Sequence, residues 1–407
     1  MSTLITGIAE LVTNDVTRGR GPLGILHDAA LVVEDDRIAW VGSASGVPQA
    51  DRRIDVNGRA VIPAYVDSHT HLVFEGDRSG EFTARMAGRP YDGGGIDRTV
   101  SLTRNAPDTR LREGLAVRAR ELAAQGTGTF EVKSGYSLDV EGESRLLRIA
   151  REITPETTFL GGHVIAPEYR DRRDEYIDLV CTSMLAACAS HARWVDAFCE
   201  PGAPTALDVD EARAVLEAGA RVGLVPRVHG AQLQAGPGPR LAVEVGAASL
   251  DHATHLSDAD VDLIAEAGAA GPIVTLLPLV EFSTRQPFPD AARLLRAGIT
   301  VALASDCNPG TNASSSMSVA MGLAIREMGM TPAQALWAST EGGARALRRS
   351  DVGHLGVGAR ARLTLVDAPS WEHITYRFGV PLTRLLSVES TGVRDMDAED
   401  LNRRVEW

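Results

Sequence analysis

Two histidines one residue apart, His69 and His71, mark where reactive chemistry concentrates in this chain. Alternate residues of an extended segment project to one side, so a His-x-His pair can turn both imidazoles on a single ion. Far downstream, His229 and His252 end short apolar runs, and Asp306 directly follows another. One more imidazole and one carboxylate would complete a metal site that leaves a position open for water. Taken singly, a histidine is more often a packed or loop residue than a ligand. Four of them with an aspartate, all at the same ends of strands, argue for a site. His27, His191, His255, His354 and His373 show no such pattern and read as surface or structural residues.

The frame that must position these groups is legible between residues 59 and 351. Apolar strands are read at Ala60–Asp67, Gly128–Lys133, Thr158–His163, Trp194–Cys199, Leu224–His229, Ala247–His252, Ile273–Leu277 and Ile299–Ser305. Helical stripes separate most of them, as at Leu146, Ile149, Ala150 and Ile153. Ser257 with Asp260, and Thr331-Pro332-Ala333-Gln334, read as helix starts. Eight such units predict an α/β fold, a distorted (β/α)8 TIM-type barrel, whose strand ends carry the active site. Pro63 and Pro226 cannot donate to a ladder, so distortion is expected there, or a fifth strand that starts only at Arg227. Residues 1–58 and 352–407 have β texture, including a tight hairpin at Asp35-Asp36, and predict one small β-sandwich domain formed by both chain ends.

Length and charge narrow the function. A chain of 407 residues buries an ample core without disulfide staples. Its net charge of −13 disfavours binding to nucleic acid or anionic membranes, and no apolar run approaches the roughly 20 residues of a membrane span. Cys181, Cys188, Cys199 and Cys307 form no Cys-x-x-Cys pair, and the first residues lack the pattern of a secretory signal. A cytoplasmic protein acting on a small molecule is expected, with a homodimer as the commonest assembly.

Several segments bear a resemblance. Residues 61–71, Val-Ile-Pro-Ala-Tyr-Val-Asp-Ser-His-Thr-His, look like the opening metal motif of the amidohydrolase superfamily. Residues 72–78 (Leu-Val-Phe-Glu-Gly-Asp-Arg), 131–136 (Glu-Val-Lys-Ser-Gly-Tyr), 159–169 and 305–311 (Ser-Asp-Cys-Asn-Pro-Gly-Thr) are similar to its imidazolonepropionase family. The likeness runs from about residue 5 to about residue 380. It implies hydrolysis of 4-imidazolone-5-propanoate to N-formimidoyl-L-glutamate in histidine breakdown, with one zinc or iron ion per subunit. By motif, the metal ligands would be His69, His71, His229 and Asp306. Substrate contacts would be Arg78, Tyr91, Tyr136, His163, Gln232 and Thr311, with Asn308 and Gly310 holding the opened product.

The residue chemistry is consistent with that implication. A metal lowers the pKa of bound water from 15.7 towards about 7, so metal-bound hydroxide could attack the cyclic amide carbonyl. His252 would steady the oxyanion or relay a proton, and Asp306 would take the water's proton to the leaving nitrogen. Arg78 offers a planar fork for the propanoate. Two-metal members of the superfamily it resembles commonly bridge their ions with a modified lysine after strand 4; here that strand ends in Phe198-Cys199-Glu200 and Lys133 follows strand 2, so the resemblance implies one ion. Three residues after His229 stands Gln232 where many relatives carry Glu. An amide cannot shuttle protons, so Gln232 is assigned to orienting the ring. The competing readings are a deaminase or another cyclic amidohydrolase acting on a small nitrogen heterocycle, and a non-enzymatic barrel scaffold. Gln232 argues against the deaminase, and the intact ligand positions argue against the scaffold.

Overall fold

A computed structural model describes residues 1–89 and 95–387. Tyr91 and the tail from 388 onward lie outside the described residues. Contacts divide the chain into two units. One comprises Met1–Ser68, Ala119–Thr129 and the described part of Ser316–Glu406; the other comprises His69–Arg118 and Phe130–Ser315.

In the first unit both chain ends combine into one six-stranded sheet, as their β texture predicts. Its order is Thr383–Leu385, Leu363–Val366, Arg52–Pro63, Ser2–Val12, Ile25–Glu34, Arg37–Ser43. Ser2–Val12 and Arg52–Pro63 run parallel, and the other neighbours run antiparallel. Period-2 alternation buries Ile54 and Val56 while Arg53 and Asp55 face out. The buried set, with Ile5, Ile8, Leu31, Val33, Leu363 and Leu365, forms one apolar cluster. Asp35 and Asp36 have φ of 47° and 66°, the left-handed pair that a two-residue hairpin turn needs.

The expected strand 60–67 is divided in the structure. Arg52–Pro63 belongs to the six-stranded sheet, and Tyr65–Asp67 pairs separately with Thr127–Phe130. Pro63 has no N–H to continue the ladder. Beyond it the backbone changes partners: Ala64 N–H donates to the Arg362 carbonyl at 2.9 Å and Tyr65 N–H to the Gly126 carbonyl at 3.0 Å.

The second unit holds seven parallel strands with helices between them. In spatial order they are Val301–Leu303, Ile273–Leu276, Ser249–His252, Val225–Gly230, Trp194–Cys199, Thr157–Gly162 and Val132–Lys133. The ring is closed by residues 69–71. Asp306 N–H donates to the His69 carbonyl at 3.0 Å, His71 N–H to the Cys307 carbonyl at 2.9 Å, and Lys133 N–H to the Thr70 carbonyl at 3.0 Å. This is the distorted α/β barrel expected from the sequence.

Pro226 sits second in its strand, which begins at Val225 rather than Arg227. The proline's missing N–H falls before the neighbouring strand Ser249–His252 has begun, and its carbonyl accepts from Ala248 N–H at 2.8 Å. The strand expected at 128–133 breaks at Glu131, whose carbonyl accepts the Thr70 hydroxyl at 2.5 Å. Among the described residues no helix is long and apolar enough to cross a membrane.

Candidate active site

Every described candidate residue lies in the second unit, at the carboxyl ends of its strands. His69 and His71 stand on the closing segment, His229 and His252 at the ends of their strands, and Asp306 just past Val301–Leu303. All five are buried. Ring centroids of His69 and His229 are 4.4 Å apart, those of His69 and His71 5.3 Å, and those of His71 and His229 5.6 Å. One ligand atom from each of these three falls within 4.8 Å of the others, and so does a set from His69, His252 and Asp306. Asp306 Oδ1 lies 3.6 Å from His69 Nε2 and 3.4 Å from His71 Nε2, and its Oδ2 lies 4.0 Å from His252 Nε2.

The orientation of two of these imidazoles is imposed from beneath. Asp251 Oδ2 lies 2.8 Å from His69 Nδ1, and Asp196 Oδ1 lies 3.0 Å from His229 Nδ1. A carboxylate at Nδ1 retains the proton there and leaves the Nε2 lone pair outward, the arrangement typical of metal-binding histidines. Nε2 of His69 and of His229 is buried with no hydrogen-bond partner. Partnerless buried acceptors are costly in a folded protein. A cation among three imidazoles and a carboxylate removes that cost, so these donors fit a metal.

The two aspartates belong to a fully buried ionic layer. Lys133 Nζ lies 2.8 Å from Asp196, 3.0 Å from Glu131 and 3.9 Å from Asp251, while Arg227 Nη2 lies 3.1 Å from Asp251. Glu131 also accepts the Thr70 N–H at 3.1 Å. Burial works against Lys133 keeping its proton, but Asp196 and Glu131 hold its pKa above the ordinary value. Burial would raise both aspartates, yet His229 and Lys133 pull Asp196 down, and Arg227 and Lys133 pull Asp251 down. The imidazoles move the other way. Burial first, then neighbouring cations, holds His69, His71 and His252 well below the ordinary histidine value, and burial takes His163 to about 4. Lowered in this way, all four imidazoles favour the neutral form, the form in which a histidine can bind a metal.

Sequence reading missed this layer. Its signal is a lone charge inside an apolar strand, as in Trp-Val-Asp-Ala-Phe-Cys and Ser-Leu-Asp-His. His252 and Asp306 adopt left-handed backbone, φ 74° and 47°, which costs on the order of 1–3 kcal/mol each for residues with a Cβ. Such strain persists where surrounding structure holds it.

Around the histidines, His163 stacks on His71 at 5.3 Å, and Tyr136 lies 5.4 Å from His163 and 5.8 Å from His71. Arg78 is buried; its Nε and Nη2 grip Glu81 at 2.6–3.0 Å. A Cβ on Gly310 would fall 2.6 Å from Arg78 Nη1, so a side chain there would displace the end of the guanidinium. Arg85, absent from the sequence-derived set, donates to the Gly310 carbonyl at 2.9 Å. Asn308 spends its amide within the loop. It donates to the Asp306 carbonyl and the Thr311 hydroxyl, each at 2.7 Å, and accepts from Gly310 and Thr311 N–H at 2.7 and 2.8 Å. Gln232 is half-buried, and its backbone N–H donates to Glu200 Oε2 at 2.8 Å, so Glu200 braces the loop that carries Gln232.

Comparison with known proteins identifies the family. The amidohydrolase family profile matches residues 60–391. An imidazolonepropionase of Mycolicibacterium smegmatis is 57% identical over 379 residues, 93% of this chain and 94% of that protein. One from Salinispora arenicola is 58% identical over 383 residues, 94% of this chain and 96% of its own length. In fold, the chain resembles a zinc-bound adenosine deaminase of Xanthomonas campestris, with a TM-score of 0.71 at 17% identity, covering 98% of this chain and 96% of the other. The chain belongs to the imidazolonepropionase family of amidohydrolases.

Proposed function

We propose that the chain hydrolyses 4-imidazolone-5-propanoate to N-formimidoyl-L-glutamate, as the names of its relatives indicate. Water adds to the ring carbonyl carbon, the carbonyl C–N bond breaks, and a proton leaves on the ring nitrogen. The observation that carries the reading is the convergence of His69, His71, His229 and Asp306, with the Nδ1 atoms of two imidazoles already held by buried carboxylates.

Those four residues would hold one zinc or iron(II) ion per subunit, both of which accept imidazole and carboxylate donors. A divalent ion there supplies an acidic water and polarises the carbonyl. The chain does the rest. Asp306 accepts the water's proton on its carboxylate and delivers it to the leaving nitrogen. Neutral His252, within 4.0 Å of Asp306, donates an N–H to the developing oxyanion. Arg78, held by Glu81 through Nε and Nη2, offers its guanidinium to the propanoate carboxylate. Tyr136, His163 and Thr311 line the substrate, Gln232 orients the ring through its amide, and Asn308 with Gly310 shapes the loop that receives the product. Tyr91 completes the set as the resemblance implies. We read residues 59–351 as the catalytic barrel, residues 1–58 with 352–407 as the β domain, and the assembly as a homodimer.

Incubating the purified protein with freshly prepared imidazolone propanoate tests the reading. Loss of the substrate's ultraviolet absorbance, with one equivalent of metal and no ammonia, is the expected result. Ammonia release would move the chain to the deaminases, and no turnover with metal bound would end the proposal.

A further inference from the structure

Glu143 lies in the first turn of the helix Val140–Arg151 and is fully buried, away from the ionic layer and the proposed ligands. Its carboxylate takes the Ser134 hydroxyl and a set of backbone N–H groups. Oε2 accepts Gly135 N–H at 2.7 Å, and Oε1 accepts Ser137 and Leu138 N–H at 2.8 Å each. Three backbone donors of one six-residue loop therefore close on one side chain.

That loop follows the strand Val132–Lys133; Ser134 N–H still donates to the Thr158 carbonyl at 3.0 Å, and beyond it no strand is formed before the helix. Two of its residues are left-handed, Gly135 at φ 99° and Leu138 at φ 57°, and the second carries the cost of a branched side chain. Burial pushes the Glu143 carboxyl up, and the donors of this loop oppose that rise, so the bonds that give the loop its shape are the ones that favour the carboxylate. The loop presents two things. Tyr136 stands between the bound N–H groups, its ring 5.4 Å from His163. The Gly135 carbonyl lies 2.9 Å from His163 Nδ1. A carbonyl only accepts, so Nδ1 carries the proton and Nε2 is left as the acceptor.

We infer that Glu143 is a positioning residue: by gathering the backbone N–H groups of residues 135–138 it fixes the Tyr136 ring and the tautomer of His163, and so sets substrate affinity. The inference rests on the reading of Tyr136 and His163 as substrate contacts. Glu143→Gln keeps size and one acceptor oxygen but turns an amide N–H₂ towards a backbone donor. A displacement of about 1 Å in a substrate-positioning group costs up to about 100-fold, so kcat/KM should fall about 10- to 100-fold, carried mainly by KM. Bound metal should remain at its wild-type level. Glu143→Asp keeps the charge one methylene short and should recover most of the loss.

The decisive readout is coupling. In a His163→Ala background, Glu143→Gln should add no more than about 3-fold, because both changes remove one linked function. Full additivity, or a fall in metal content matching the fall in activity, would overturn the inference. So would wild-type kinetics in Glu143→Gln while His163→Ala and Tyr136→Phe lose affinity. Wild-type kinetics in those last two variants would instead remove the substrate-contact reading beneath it. Should Glu143→Gln fail to fold, Glu143→Asp carries the test through the same KM shift and the same coupling to His163.

Discussion

Asp196 reaches across from its own strand to place Oδ1 3.0 Å from Nδ1 of His229, and neither side chain is open to solvent. One carboxylate thus sets which face of an imidazole carries its lone pair. The other oxygen of that carboxylate serves Lys133, so the orientation of the His229 imidazole and the charge balance of the layer are a single arrangement.

Asp196→Asn tests that role. The amide retains the shape but offers a weaker acceptor, and loss of such a partner lowers metal affinity by about 10- to 100-fold. Competition with a chelator, followed by metal analysis, should show the shift, while His229→Ala should abolish loading altogether. Unchanged affinity in Asp196→Asn would mean that His229 is oriented by something else.

Lys133→Met would leave Glu131, Asp196 and Asp251 buried without their shared cation. Removing one partner from a buried ionic cluster costs about 3–5 kcal/mol. Denaturant titration should show a drop of that order, larger than for any exposed ion pair on the same protein. A stability equal to wild type would contradict the account of Lys133 as the cluster's keystone.

Arg78→Ala should raise KM for imidazolone propanoate by about 100-fold, as expected when a charged hydrogen-bonding partner is lost, with less effect on an analogue lacking the carboxylate. Arg78→Lys should recover little, because an ammonium cannot hold Glu81 and a carboxylate at two edges. Equal losses for both substrates would take Arg78 out of substrate binding.

Acid should destabilise the metal-free protein. Burial holds His163 at about 4 and keeps His69, His71 and His252 below the usual 6.5. An unfolded chain binds these protons near pH 6.5 and the native site does not, so stability falls as pH drops below that value. Each such imidazole costs about 1.4 kcal/mol per pH unit until its native pKa is reached, which for His163 is about 4. Unfolding midpoints between pH 7 and 4.5 should fall steadily and fall less in His163→Asn. A flat profile would show that the native imidazoles take up protons as readily as those of the unfolded chain.

The sequence reveals the barrel because its parallel strands are continuous apolar runs, as at Trp194–Cys199, and because His69, His71, His229, His252 and Asp306 share one end of them. It reveals helix starts where capping chemistry is local, as at Ser257 with Asp260 and Thr331 with Gln334. It does not reveal Asp196, Asp251 and Arg227 as supports, because their partners lie tens of residues away and only closure of the ring brings them together. The division of 60–67 is hidden for a related reason. Pro63 signals that the ladder is interrupted, but the acceptors waiting at Arg362 and Gly126 are far along the chain.

Because residues 69–71 supply the missing stave between Lys133 and Asp306, the same three peptides that carry two donor imidazoles also complete the wall of the cylinder. Architecture and reactivity here share one piece of backbone. A chain whose stave fails to seat therefore loses the wall and the placement of both imidazoles together.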